Sequence, residues 1–205
     1  MNDIEQRSQE WFAARLGIAT ASRFSAVLAN IKTGEAAERR NYRAQLVVER
    51  LTGKQVETYQ NSAMQHGTEQ EPFARMAFAA KTGAIVDEVG FLRHAVIEAG
   101  CSPDGLIDDC GMLEIKCPFQ TAVHIETLKN GMPKGHIPQV QGQMWIAGRE
   151  WVDFVSFDPR MPEKLQLFVQ RIMRDEEYIA NLSKEVAAFM EEVKAEEAQL
   201  IKLAA

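Results

Sequence analysis

The sequence predicts an α/β protein in which helices come first, a central mixed β-sheet follows and one long helix closes the fold. The main observation is a change in hydrophobic spacing near residue 84, from a helical period to strand-like alternation, with a return to the helical period after residue 174. The 46% hydrophobic and 25% charged fractions of the 205 residues are typical of a globular protein. We find no repeat, low-complexity tract or linker, so residues 1–205 are predicted to form a single domain.

Four helices are predicted before residue 84. A short helix spans residues 9–16, and a second follows with Thr20 and Ser22 as N-cap residues. The other two are longer and end at glycines, over residues 36–53 and 66–83. Pro72 is expected in the first turn of the fourth helix, because a proline further inside a helix removes a backbone hydrogen bond.

Strands dominate the second half of the chain, with helices between them. The predicted strands alternate apolar and polar residues and are rich in β-branched and aromatic side chains. They cover residues 84–94, 111–117, 151–158 and 164–172. Helices are predicted over residues 120–131, 137–148 and 175–201, and the last is long and amphipathic with an acidic outer face.

The distribution of charge leaves a nucleic-acid partner open, although the net charge is −6. Residues 1–60 carry 9 Lys and Arg against 7 Asp and Glu, a balance of +2, whereas residues 175–205 carry 3 against 8, a balance of −5. Most of the excess acid therefore lies in the last helix. Clustered carboxylates that bind a metal would also lower the net charge without excluding DNA.

Cysteine number and hydropathy indicate a cytoplasmic protein. Three cysteines at spacings of nine and seven fit neither a disulfide framework nor a CxxC zinc site, so reduced thiols are expected. No apolar run approaches the roughly 20 residues that span a bilayer. The first residues lack the apolar segment of a secretory signal.

The stretch "CSPDGLIDDCGMLEIKC", residues 101–117, combines a turn, an acidic loop and a strand. Strand alternation places Glu114 and Lys116 on one face, and "SPDG" fits a type I turn that would fix Asp104 at a strand end. The loop "LIDDCG" is long enough to reverse the chain and bring Glu114 beside Asp104. Each piece alone is also explained by an ordinary turn and a surface ion pair, which stabilises little.

Together these residues suit metal-dependent phosphodiester chemistry. Two carboxylates and a backbone carbonyl such as that of Ile115 can hold Mg²⁺, which prefers oxygen ligands. Lys116 beside them can orient a water molecule and stabilise the charge that develops on phosphorus-bound oxygens. Pro-Asp, nine residues and then Glu-x-Lys resembles the pattern of PD-(D/E)xK nucleases.

Two further segments are compatible with such a site. Thr68 and Glu71 match a capping box, and Glu71 could also join a metal site from the start of its helix. Gln139 and Gln141 lie in the helix that follows the motif strand. Glutamines there are either polar surface residues or groups that hold substrate or water.

Most of the chain resembles the bacteriophage lambda exonuclease family, the YqaJ-type viral recombinases. The resemblance rests on several separated motifs in the same order, which are "WFAARLGIATASRF", "HGTEQEPFAR", "CSPDGLIDDCGMLEIKCPF", "PQVQGQMW", "FDPRM" and "RDEEYIANL". It implies a restriction-endonuclease-like PD-(D/E)xK core, a central mixed β-sheet flanked by helices.

The resemblance also implies roles for individual residues. Asp104 and Glu114 match the metal-binding carboxylates, Ile115 the residue that lends a carbonyl, and Lys116 the catalytic lysine. Three groups are implied around them: the helix glutamate that assists the metal, a helical glutamine beside the site, and residues that bind the DNA 5′-phosphate. These are Glu71, Gln139 and the set Arg15, Ser22 and Ser102.

The activity implied by the resemblance is Mg²⁺-dependent, processive 5′→3′ degradation of double-stranded DNA from its ends. It would release 5′-mononucleotides and leave 3′ single-stranded overhangs, with two Mg²⁺ ions at each site and Mn²⁺ as a substitute. The implied assembly is a toroidal homotrimer around linear duplex DNA. The implied partner is a phage single-strand annealing protein, in the cytoplasm of a bacterial host that carries the phage or prophage.

Other functions stay open at the level of sequence. The glycine-rich segment 127–138 and His136, where an aromatic residue is expected from the phage relative, depart from the family pattern. Another PD-(D/E)xK endonuclease or a non-catalytic DNA-end-binding recombination protein would share many of the same residues. A CRISPR-adaptation-type exonuclease needs four cysteines, and three are present. A cysteine hydrolase would have to use Cys117 with His124 or His136, without any nucleophile motif.

Overall fold

Seven α-helices and seven β-strands make up the described part of the protein in a computed structural model that describes residues 4–56 and 61–204. The helices are α1 (Gln9–Arg15), α2 (Phe24–Val27), α3 (Ala37–Thr52), α4 (Ser62–Thr82), α5 (Thr121–Asn130), α6 (Ile137–Ala147) and α7 (Glu176–Leu203). The strands are β1 (Ala19–Thr20), β2 (Leu92–Arg93), β3 (Ala99–Cys101), β4 (Gly105–Ile107), β5 (Gly111–Lys116), β6 (Trp151–Phe157) and β7 (Leu167–Met173). Residues 1–3, 57–60 and 205 of the predicted domain lie outside this description.

The strands form two mixed sheets, so the predicted α/β class is confirmed. The larger sheet has the order β4-β5-β6-β7, in which β5 and β6 are parallel and the outer pairs are antiparallel. The smaller sheet has the order β1-β3-β2. Helices α5 and α6 form the crossover between the parallel strands β5 and β6, as the geometry of parallel pairs requires.

Helices α4 and α6 cover opposite faces of β5. On one face Leu113 and Ile115 pack with Ala74 and Phe78 of α4, and on the other Met112 packs with side chains of α6. The alternation predicted for residues 111–117 is therefore confirmed. Glu114 and Lys116 consequently face α6, where Glu114 is buried and Lys116 is half-buried.

A close contact fixes the position of α6. A Cβ atom at Gly142 would overlap the ring of Phe24 in α2, so the absence of a side chain lets these two helices approach. Phe24 belongs to a core cluster that also contains Leu46 of α3 and Phe189 of α7. This packing holds the inner face of α6 over β5.

The predicted start of the fourth helix is wrong. Helix α4 begins ten residues before Pro72, and its N-cap is Asn61, whose Oδ1 accepts a hydrogen bond of 3.0 Å from the Met64 N–H. Thr68 and Glu71 thus lie within the helix and form no capping box. The segment before Pro72 contains good helix formers, and packing of α4 against β5 and β6 outweighs the one hydrogen bond that proline removes.

Two other sequence predictions also need correction. Within the predicted strand 84–94 only Leu92–Arg93 is a strand, with an isolated bridge between Asp87 and Leu106. The predicted helix after Gly17 is reduced to a 3-10 turn at Ala21–Arg23 and the single turn of α2, because the backbone of β1 first pairs with β3. Its expected N-cap, Thr20, makes no side-chain capping bond.

The remaining predicted helices and strands occur near their expected positions. They are α1, α3, α5, α6, α7, β5, β6 and β7. Strands β1, β3 and β4 were not predicted, since two or three residues are too few to show alternation. Across residues 4–56 and 61–204 we find no helix with the length and apolar composition to cross a bilayer.

Candidate active site

The β4-β5 hairpin brings Asp104 next to the motif strand, as the loop length predicts. The Asp104 N–H donates to the Leu113 carbonyl (3.1 Å), and the Ile115 N–H donates to Asp104 Oδ2 (2.6 Å). The predicted type I turn at residues 102–105 is not closed by a hydrogen bond, and Asp104 lies in a bend. Asp108 reverses the chain at φ 47°. The aspartate is therefore held by backbone contacts on both its main chain and its side chain.

Glu114 is the most enclosed carboxylate of the site. Its residue is 2% exposed, and three side chains donate to it. Lys116 Nζ and Gln139 Nε2 both lie 2.6 Å from Oε1, and Gln143 Nε2 lies 2.6 Å from Oε2. Gln139 and Gln143 are one helical turn apart on the inner face of α6, so both reach the same strand residue.

Like charges meet at this point. Burial raises the pKa of Asp104 well above its ordinary value, and the nearby carboxylates of Glu114 and Glu71 raise it further, against the opposing effect of Lys116. Burial lowers the pKa of Lys116, but Glu114 and Asp104 outweigh burial, so its pKa lies above the ordinary value. Lys116 therefore carries a positive charge, and this one charge must offset the negative charges of both Glu114 and Asp104.

Glu71 lies close enough to Asp104 to raise its pKa, but its carboxylate forms ion pairs with two arginines. Arg7 and Arg75 each donate to one of its carboxylate oxygens at 2.8 Å. Arg75 Nε also donates to the backbone carbonyl of Asp104 (3.2 Å), which ties α4 to the hairpin. The structure therefore places Glu71 near Asp104, from the middle of a helix and not from its N-terminus.

A small cavity of about 90 Å³ lies beside Gln139 and Gln143, the two glutamines that bind Glu114. Trp11 Nε1 donates to Ser102 Oγ (2.8 Å), and the guanidinium of Arg15 lies over the Trp11 ring at 3.9 Å. Burial lowers the pKa of Arg15, although the group remains far from neutral at physiological pH. The side chains that line the cavity include Trp11, Arg15, Ser22, Ser102, Gln139 and Gln143.

The cavity therefore unites all three residues predicted to bind the 5′-phosphate with the predicted glutamine. Thr20, next to Ser22 with their hydroxyls 3.4 Å apart, also lines it. A half-buried guanidinium and several hydroxyl and amide groups suit an oxyanion. The volume is enough for a phosphate group or a few water molecules.

Oxygen donors at the site fit a hard divalent cation. Asp104, Glu114 and the carbonyl of Ile115 belong to adjacent residues of one hairpin. Within the described residues no group of three or more His, Cys, Asp and Glu side chains converges as metal ligands, and the oxygens of Glu71 are occupied by arginines. Two repelling carboxylates and one carbonyl would provide the donor set, and oxygen donors of this kind suit Mg²⁺ or Mn²⁺ better than zinc.

Cysteine chemistry is not supported at this site. Burial, with repulsion from Glu71 and Asp104, raises the pKa of the Cys117 thiol to about 12. His124 is fully buried, and its ring nitrogens lie 2.7 Å from Ser156 Oγ and 2.8 Å from the Leu165 carbonyl. His136 packs against Phe154, and burial followed by the charge of Lys116 lowers its pKa.

Of the two glutamines that the sequence suggested for the site, Gln139 and Gln141, the second lies outside it. Gln141 points to the opposite side of α6, where it binds the Met173 carbonyl (2.9 Å) and the Asp175 N–H (3.0 Å). Gln143, which sequence reasoning missed, is the one that contacts Glu114. The i, i+4 spacing places Gln143 on the same face of α6 as Gln139, so it is the signal that identifies Gln143 once Gln139 is assigned to the site.

The mixed sheet and the order Asp104, Glu114, Lys116 along its hairpin define a protein of the PD-(D/E)xK class. A profile of the YqaJ-like viral recombinase domain matches residues 10–150. The chain belongs to the YqaJ-like viral recombinase family, as its motifs predict.

Solved structures show the same relationship. The alkaline exonuclease LHK-Exo from Laribacter hongkongensis is 50% identical and aligns with a TM-score of 0.88 over 96% of this chain and 98% of its own. LHK-Exo in complex with dAMP aligns over the same shares with a TM-score of 0.90. A phage-related exonuclease from Haemophilus somnus 129PT shares the fold at 17% identity, with a TM-score of 0.71 over 92% of this chain and 96% of that one. No curated protein matches.

Proposed function

We propose that the protein is a divalent-metal-dependent deoxyribonuclease that degrades linear double-stranded DNA from its 5′ ends. The observation that carries the proposal is the position of Gln139. It lines the anion cavity and also binds Glu114 (2.6 Å) and Lys116 (3.2 Å), so a cavity that suits a phosphate lies one side chain away from the carboxylate and the lysine. A phosphate site next to the carboxylates suits the end of a strand, because the terminal phosphate would occupy the site while the adjoining phosphodiester reaches the carboxylates.

Arg15, Ser22 and Ser102 would bind the terminal 5′-phosphate and thereby set which phosphodiester lies at the carboxylates. Asp104, Glu114 and the carbonyl of Ile115 would hold the metal, with Glu71 assisting if its arginine partners release it. A bound divalent ion polarises the phosphodiester and lowers the pKa of a coordinated water molecule. Lys116, kept protonated by Glu114 and Asp104, would orient the attacking water and stabilise the charge that develops on the phosphate oxygens.

The family supports the wider role. A YqaJ-like viral recombinase domain and 50% identity to an alkaline exonuclease indicate a nuclease used in recombination. Binding of dAMP, a deoxynucleoside monophosphate, by LHK-Exo favours 5′-mononucleotides as products. We infer that digestion runs 5′→3′ and leaves 3′ overhangs for a phage single-strand annealing protein, in the cytoplasm of a bacterial host. Processivity would come from a toroidal homotrimer around the duplex, with two Mg²⁺ ions in each site.

The test is a time course on linear and closed circular duplexes, with and without Mg²⁺, and with 5′-phosphate or 5′-hydroxyl ends. Linear 5′-phosphorylated DNA should be degraded to mononucleotides only with the metal, and closed circles should persist. Lys116→Met should lower the rate about 1,000-fold, since it removes the charge that stabilises the transition state. The exposed lysine of α5 provides the matched variant Lys129→Met, which should keep the wild-type rate.

Arg15→Met separates end recognition from chemistry in the same assay. It should slow degradation of the 5′-phosphorylated end about 10- to 100-fold more than that of the 5′-hydroxyl end, because only the former contacts the guanidinium. Equal losses on both ends would reject the phosphate pocket. Nicking of closed circles would favour an endonuclease, and binding of ends without metal-dependent nucleotide release would favour a non-catalytic recombination protein.

A further inference from the structure

Glu114 is held by α6 at both of its carboxylate oxygens. Oε1 accepts two hydrogen bonds, from Lys116 and Gln139, whereas Oε2 accepts one, from Gln143 at 2.6 Å. An ionised carboxylate offers about two acceptor positions on each oxygen. Oε1 is therefore filled, and Oε2 is the atom that can bind a cation without the loss of a hydrogen bond.

Gln143 determines how that oxygen is presented. The residue is 1% exposed, and its Nε2 must face Glu114 because an ionised carboxylate only accepts hydrogen bonds. Its own Oε1 is buried and has no hydrogen-bond partner among the described residues. Since Gln143 also lines the anion cavity, that oxygen lacks a donor that water or a ligand in the cavity would supply.

We propose that Gln143 is a positioning residue for the metal. Its amide N–H fixes Glu114 so that Oε2 presents its free lone pair to the divalent cation. The same side chain also lines the terminal-phosphate cavity. This inference rests on the proposed function of the site. Gln143 differs from Gln139, which shares its amide between Glu114 and Lys116. The hydrogen-bond partners of metal ligands commonly tune affinity in this way.

The experiment measures Mn²⁺ binding to the metal-free protein without DNA, from the free-Mn²⁺ electron paramagnetic resonance signal. Gln143→Met keeps the length of the side chain but cannot donate, and it should weaken Mn²⁺ binding about 10-fold or more. Gln143→Asn draws the amide back by one methylene and should weaken binding in the same direction. It also serves as the second variant if Gln143→Met does not fold.

The same helix provides the matched control. Gln141 is also a buried glutamine, 4% exposed, but it binds backbone groups of Met173 and Asp175 on the other side of α6. Gln141→Met should lower the melting temperature and leave the Mn²⁺ affinity within twofold of the wild type. A purely structural effect of Gln143 would instead make the two methionine variants alike in affinity.

Three outcomes separate this inference from the proposed function. Affinity within twofold of wild type in both Gln143 variants, while Asp104→Asn loses Mn²⁺ binding, would overturn the inference and leave the nuclease site standing. An equal loss in Gln141→Met would also overturn it. A wild-type protein that binds no Mn²⁺ and releases no nucleotides would overturn the proposed function and this inference together.

Discussion

Two clusters of charged residues in this protein are built in opposite ways. Along the seam between α3 and α7 every charge that we name has a partner: Arg39 forms a bidentate pair with Glu192 (2.6 and 2.8 Å), and Arg43 bridges Glu35 and Glu196. At the β4-β5 hairpin, the two buried carboxylates of Asp104 and Glu114 share a single lysine, Lys116, while the nearby Glu71 is paired with Arg7 and Arg75. The first cluster is partly exposed to solvent, whereas Glu114 is almost fully buried.

The difference shows in the direction of the pKa shifts. Hydrogen bonds from Arg43 and Arg39 lower the pKa of Glu35, and a hydrogen bond from Arg39 lowers that of Glu192, so ionisation stabilises the fold there. Burial and like charges raise the pKa of Asp104, so ionisation destabilises the fold at the hairpin. Repelling carboxylates that persist in a folded protein point to a ligand, here a cation, that removes the repulsion.

The largest expected effect comes from Asp104→Asn. It should lower the rate of metal-dependent DNA degradation about 1,000-fold, because a ligand of the cation is lost. It should also raise the free energy of unfolding of the metal-free protein at pH 8 by about 1 kcal/mol, because a buried charge is removed while asparagine can still accept from the Ile115 N–H. Nuclease assays and thermal melts without metal measure the two effects.

The sign of the pH dependence provides the control for this prediction. Folding raises the pKa of the Asp104 carboxyl, so its ionised form destabilises the folded state. As the pH rises from 4 to 8 and Asp104 ionises, the wild type should therefore lose stability relative to Asp104→Asn. The two proteins should become alike near pH 4. A variant that is less stable than the wild type at pH 8 would show that the hairpin carboxylates do not repel.

Sequence alone predicts the elements of this comparison that depend on local spacing. The alternation of residues 111–116 and the length of the "LIDDCG" loop are enough to place Glu114 and Asp104 together. The long helices α3 and α7 follow from their hydrophobic period. Family motifs add Arg15, Ser22 and Ser102, which the structure brings to one cavity.

The parts that sequence did not predict depend on tertiary contacts. The extension of α4 to residue 62 hides the capping-box pattern of Thr68 and Glu71 inside a helix, because packing on the sheet outweighs the cost of Pro72. The choice of Gln143 over Gln141 depends on which face of α6 crosses β5. No local pattern specifies that crossing, since it follows from the contact between Gly142 and Phe24.

A third charge cluster combines features of both regions. Asp158 is fully buried, as Glu114 nearly is, but like the carboxylates of the α3–α7 seam it is paired with an arginine. Arg160 Nε and Nη2 donate to its two oxygens at 2.7 and 2.8 Å. Burial opposes its ionisation, and hydrogen bonds from Arg160 and Thr121 outweigh burial and lower its pKa to about 2. Arg160 also donates to the carbonyl of Pro118 (3.0 Å), just after the motif strand.

Arg160→Met should therefore lower the free energy of unfolding by about 2 kcal/mol near neutral pH, because Asp158 would stay buried without its partner. Because folding lowers the pKa of Asp158, the ionised carboxylate stabilises the fold at any pH above the pKa of about 4 that it has in the unfolded chain. The difference in the free energy of unfolding between variant and wild type should therefore shrink as the pH falls from about 4 toward 2. Urea unfolding across this range measures it. A difference that is constant with pH would assign the loss to the backbone contacts of Arg160 and not to the ion pair.

The smallest expected effect lies in the seam itself. Arg43→Met removes a guanidinium that joins Glu35 to Glu196, and it should lower the free energy of unfolding by about 1 kcal/mol at low ionic strength. Because these charges are partly exposed, 1 M NaCl should remove most of that difference, whereas the stability gain of Asp104→Asn should persist in salt. Arg40→Met, on the exposed side of the same helix, is the matched control and should change stability little.

Nuclease activity of Arg43→Met per folded molecule should equal that of the wild type. A salt-insensitive loss, or a loss of metal-dependent cleavage, would remove the distinction between a satisfied charge cluster and one that requires a cation.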